Sequence, residues 1–158
     1  MTAVARLGEL LHKAHFGPAW HGPAVAELLA DITAPQAAAP AAVGSHSIWQ
    51  LVLHVTAWKD EVCRRLSGPG RRLSPEENWP PIPDTSEAAW QDAVARLNES
   101  QKTLETAVAK LSDDQLVTVN EVAGGDSEGS WEELLHVLIH HDLYHAGQIA
   151  ILKTAPWH

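Results

Sequence analysis

The sequence predicts an all-α protein, a four-helix bundle, and three observations carry that expectation. Four segments repeat apolar residues at intervals of three and four, two of them open on a serine-led capping box, and no alternating run is long enough to build a sheet. At 158 residues the chain suits one domain, residues 1–158, with a hydrophobic core of its own.

The first periodic segment carries Val4, Leu7 and Leu11 and then meets Gly17-Pro18 and Gly22-Pro23, where proline removes a backbone donor and breaks the ladder. It resumes at Pro23, a first-turn proline, through Val25, Leu28, Leu29 and Ile32. The Ala/Pro stretch from Ala34 to Gly44 reads as a loop between helices. Ser47 caps the second helix, with Gln50 completing the box, and Gly68-Pro69-Gly70 stops it after about Leu66. Its apolar row is Ile48, Leu51, Val55, Trp58 and Val62.

A polar, proline-rich excursion from Arg71 to Asp84 is expected to wrap the surface. The third helix spans about Glu87 to Lys110, with Trp90, Val94, Leu97, Leu104 and Val108 at helical spacing. After a loop at Gly124 to Gly129, Ser130 and Glu133 form the second box, opening a fourth helix that runs to about Lys153.

Charge narrows the partners. Eleven Lys and Arg against twenty Asp and Glu give a net charge of -9, and the cations form no stripe, which excludes nucleic acid as an expected partner. Cys63 is the only cysteine, so no intramolecular disulfide and no Cys-rich zinc module can form, and a reducing, cytoplasmic compartment is expected. No apolar run approaches the roughly 18 residues of a membrane span, and the first residues show no basic-then-apolar export pattern.

Histidine is where the chemistry concentrates. The fourth helix holds two pairs spaced by four, His136/His140 and His141/His145, and helical phase separates them. At about 100° per residue, Leu134, Leu138, Gln148 and Leu152 fall within roughly 60° of His141, which places His141 and His145 on the bundle face. His136 and His140 lie roughly 100–140° away, toward the edge or solvent. A third imidazole must come from another inward face, and His54, between Leu51 and Trp58, supplies it.

A lone buried histidine more often bonds to backbone or water, but three on converging faces favour a metal. Three neutral imidazoles make the ligand set of an open zinc site, with one position left for water or substrate. Zinc or nickel leads, and cobalt or iron also suits imidazole. Cys63, about 180° round the helix from His54, is not a ligand.

The remaining candidates are weaker. His12, His15 and His21 lie near the helix break with no settled phase, and His46 and His158 are expected at the surface. His141-Asp142-x-x-His145 parallels the His-Glu-x-x-His zinc-protease pattern, but Asp142 is one methylene too short, and it is expected on the solvent side or orienting an imidazole. Glu61 is expected as a solvated carboxylate. Of the seven tryptophans, Trp49, Trp58, Trp90 and Trp131 are packing residues, while Trp20, Trp79 and Trp157 either wall a pocket or lie under a loop.

The chain resembles the DinB/YfiT-like superfamily through Trp20-His21-Gly22-Pro23, Ser45-His46-Ser47-Ile48-Trp49 running on to His54 and Trp58, Asn78-Trp79-Pro80, and Tyr144-His145-Ala146-Gly147-Gln148-Ile149. That resemblance implies an up-down-down-up bundle, a divalent metal held by His54, His141 and His145, and a homodimer. Many relatives carry arginine before Gly-Gln where this chain has Ala146, which argues against an anion contact from that position.

Three functions fit. The first is a metal-dependent transferase of low-molecular-weight thiols, whose partners are a thiol and a small-molecule substrate. A metal-dependent hydrolase is the second, and a non-catalytic metal-stabilised ligand-binding dimer the third. His54, His141 and His145 are expected as metal ligands, and no residue is assigned a catalytic role.

Overall fold

Caps decide where the helices begin in the computed structural model, which describes residues 1–41, 46–82, 84–122 and 127–154. Four long helices form: α1 (Ala3–Phe16), α4 (Ile48–Ser67), α6 (Glu87–Val108) and α8 (Trp131–Thr154). Short ones lie between them: α2 (Val25–Leu29), α3 (Ala34–Ala38), α5 (Pro75–Asn78) and α7 (Asp113–Leu116). The hydroxyls of Thr2, Ser47 and Ser86 accept from the backbone N–H three residues on, satisfying donors that the first turn leaves free. Ser130 and Glu133 exchange reciprocal bonds at the start of α8, as the capping box requires.

The long helices form a ring in which α1 and α4 each pack against both α6 and α8. Trp49 at the start of α4 packs on Trp90 near the start of α6, and Lys59 meets Gln101 farther along, so these two helices run the same way. Asp113, just beyond α6, accepts from the first N–H groups of α1, which therefore runs opposite to α6.

Two apolar clusters fill the bundle. One gathers Trp49, Leu51, Val55, Trp90, Leu97 and Ile149, and the other Leu11, Val62, Leu104, Val108 and Leu135. Trp90 is fully buried, and its indole N–H donates to the Ile32 carbonyl at 2.6 Å, so its burial strands no donor. Gly17 ends α1 at φ +80°, in the left-handed region, where a Cβ would come within 2.8 Å of the Glu27 carboxylate.

Four expectations change. The helix after the break is shorter than expected, because Ala24 is its cap, so Pro23 lies before its first turn and the helix stops at Leu29, short of Ile32. The Ala/Pro stretch is not all loop, because Thr33 caps α3 through Gln36 and Pro35 sits in its first turn, where its missing N–H is harmless. A small antiparallel hairpin, β1 (Val119–Glu121) with β2 (Ser127–Ser130), replaces part of the loop before α8. The rest of that loop, residues 123–126, lies outside the described residues, as do Trp157 and His158. The Arg71–Asp84 excursion turns inward, with Trp79 and Ile82 packed against the first apolar cluster.

Candidate metal centre

His54 on α4 and His141 and His145 on α8 converge. Their Nε2 atoms approach each other, His54 to His141 at 3.0 Å and His145 to His141 at 3.0 Å. One ligand atom from each of the three lies within 4.8 Å of the others. Imidazoles bound tetrahedrally at about 2.0–2.1 Å would stand roughly 3.3 Å apart, so the cluster has the dimensions of a metal's first shell.

Tautomers strengthen that fit. The His54 Nδ1–H donates to the Asn78 carbonyl at 2.7 Å, and a carbonyl can only accept, so Nε2 keeps its lone pair. The His145 Nδ1–H donates to Gln148 Oε1 at 2.6 Å, with the same consequence. Two lone pairs thus face His141 Nε2, which can donate a hydrogen to only one of them. Among the described residues, the buried Nδ1 of His141 has no partner of its own. A cation at the centre would satisfy all three Nε2 atoms together.

The site keeps its imidazoles neutral. Burial, then the neighbouring His145 and His54, pushes His141 down to about 3, and burial also lowers His54 and His145. Neutral imidazole is the form that binds metal.

Beside the triad, aromatic rings stack in a column. The Trp79 ring lies flat on His54 at 3.9 Å between centroids, and His46 lies on the other face of Trp79 at 3.5 Å. Asn78 fastens this cover twice, through its carbonyl to His54 and through Oδ1, which accepts from the Trp58 indole N–H at 2.8 Å. Farther along α4, Glu61 braces the excursion by accepting from Arg64, Arg65 and the Arg71 N–H. Burial alone would raise the Glu61 pKa, but those hydrogen bonds outweigh it and lower it.

Several residues sit elsewhere than expected. Glu61 is 3% exposed rather than solvated, because it gathers two arginines. Asp142 is fully buried and ion-paired with Lys59 at 2.6 Å, so it is neither solvent-side nor a base facing the triad. His15 is buried in the bundle, whereas His12 and His21 are exposed. His46 was missed as a neighbour of the site, since nothing local in the sequence ties it to a tryptophan 33 positions on. His136 is half-buried, His140 exposed, and Cys63 stands outside the cluster, as their phases required. Ala146 is buried against the apolar core and offers no charge to an anion.

Fold and cluster together define an α-helical bundle whose inner face gathers three neutral imidazoles. The chain matches the DinB superfamily over residues 19–149 and belongs to it. No curated protein and no solved structure matches the chain.

Proposed function

We propose that the protein binds a divalent metal, zinc or nickel, through His54, His141 and His145, and uses it to transfer a low-molecular-weight thiol to a small electrophile. The observation that carries the metal is the meeting of three Nε2 atoms with two of their lone pairs fixed by Asn78 and Gln148. When bound, such a cation supplies Lewis acidity at its remaining position, which lowers a thiol's pKa toward the nucleophilic thiolate.

The chain's own side chains do the rest. Asn78 and Gln148 orient two of the imidazoles, and Trp79 shields one face of His54 from water. Cys63 is held up to about 11 by burial and stays a thiol at neutral pH, which favours an external thiol as the nucleophile. The Asp142 carboxylate is engaged by Lys59, and that favours transfer over hydrolysis, which would need a base at the site. Such thiols persist in a reducing cytoplasm, where we place the reaction.

We also propose a homodimer. Val137, Tyr144 and Ile151 are exposed at seven-residue intervals along α8, a spacing suited to pairing with a second helix.

The test is conjugation of glutathione, bacillithiol or mycothiol to a model electrophile by metal-loaded and metal-stripped protein. Activity is expected only with metal, and His54→Ala, His141→Ala and His145→Ala should each abolish it. Turnover of esters without thiol would favour the hydrolase instead, and no turnover of either kind would leave the metal a structural role.

A further inference from the structure

Beneath the triad, each of the four long helices sends a polar side chain into one buried cluster. Lys59 of α4 donates to Asp142 of α8 and to Gln101 of α6, both at 2.6 Å. Gln101 donates in turn to the Leu11 carbonyl of α1 at 3.1 Å, and His15 of α1 bonds Asn98 of α6 at 2.9 Å while its Nδ1 lies 3.9 Å from Asp142. Lys59, Asp142, Gln101 and His15 are all fully buried. Apolar packing would fill this space without desolvating two charges, so the pair needs a reason other than stability.

We infer that Lys59 and Asp142 are positioning residues that fix the axial register of α4 against α8 and so hold His54 opposite His141 and His145. Asp142 follows His141 directly, and Lys59 lies five residues, about 7.5 Å, beyond His54. Leucine rows can slide past one another by a turn and still pack, but a slip of about 5.4 Å here leaves two charges buried and unpaired. Metal ligation tolerates only about 0.2 Å of error in each bond, far less than apolar packing does. The pair is neutral as a unit, so it fixes position without adding net charge beside the ligands.

This inference rests on the metal reading above, and the experiment separates the two. Zinc affinity is measured by chelator competition, and cobalt absorption recorded, on the wild-type protein and on the double variant Lys59→Met with Asp142→Leu. The variant removes one charge of each sign, so net charge is unchanged. It is expected to unfold cooperatively, to bind zinc at least tenfold more weakly, and to show altered cobalt bands. Zinc binding within twofold of wild type with an unchanged cobalt spectrum would overturn the inference. Absence of zinc binding by the wild type would overturn the metal reading and this inference with it. If the double variant does not fold, Lys59→Gln decides. Loss of a nearby positive charge by itself tightens cation binding, whereas loss of register weakens it, and unchanged or tighter binding overturns the proposal.

Discussion

Single residues set the chemistry, and Gln148 shows how. Its Oε1 fixes the His145 tautomer, so Gln148→Leu should weaken zinc binding by about 10–100-fold with the fold intact, which chelator competition measures. His15 sets a pH limit on stability. Burial, then the Lys59 charge, lowers it to about 4 in the folded protein, against an unfolded value near 6.5. The unfolded chain therefore takes up the proton first, and the contribution of neutral His15 is fully present above about pH 6.5 and is lost as pH falls toward 4. That amounts to about 3 kcal/mol by linkage. Urea midpoints from pH 7 to 4 should trace this loss, and His15→Gln should flatten it; an unchanged slope would refute the assignment. The convergence of His54, His141 and His145 was legible because helical phase carries the direction of a side chain. Asp142 was not, since a carboxylate reads as solvent-facing until the cation that neutralises it is known, and Lys59 is close to it only in space. Glu61 was not either, because Arg64 and Arg65, three and four residues on, read as an ordinary surface ion pair until the Arg71 N–H closes over them.

Helices place those residues, and local signals in the chain place the helices. The serine at position 47 caps α4, the helix that carries His54, so Ser47→Ala should cost about 1 kcal/mol in chemical denaturation, with no loss indicating a redundant cap. Both capping boxes and the boundaries of α4, α6 and α8 could be read from sequence because caps are local. The short helix α3 could not, because Pro35 signals a break unless its first-turn position is known. Pairing of β1 with β2 depends on a register that three- and four-residue strands do not advertise by alternation. The inward turn of the Arg71–Asp84 excursion was hidden for a related reason. Its composition is that of a surface loop, and what draws it in is long-range: Glu61 accepting from Arg71, and Asn78 and Trp79 meeting Trp58 and His54.

At the scale of the whole molecule, a metal held by His54, His141 and His145 would join α4 to α8 and stabilise the native state by mass action. At free zinc 100 times its dissociation constant the gain is about 2.7 kcal/mol, or roughly 5–10 °C in melting temperature for a domain of this size. The shift should vanish with chelator and in His54→Ala, and a shift that survives the substitution would place the ion elsewhere. If α8 pairs with a second copy, Ile151→Asp should move the sedimentation coefficient from dimer to monomer; an unchanged value would exclude that face. No described helix is long and apolar enough to cross a membrane. The most direct test of the centre itself is a cobalt titration of metal-stripped protein. Saturation at one ion per chain is expected, with absorption bands of a four-coordinate imidazole site that shift on adding a thiol and are lost in His54→Ala, His141→Ala and His145→Ala. No saturable binding, or the same spectrum in the three variants, would contradict a metal centre built from these histidines.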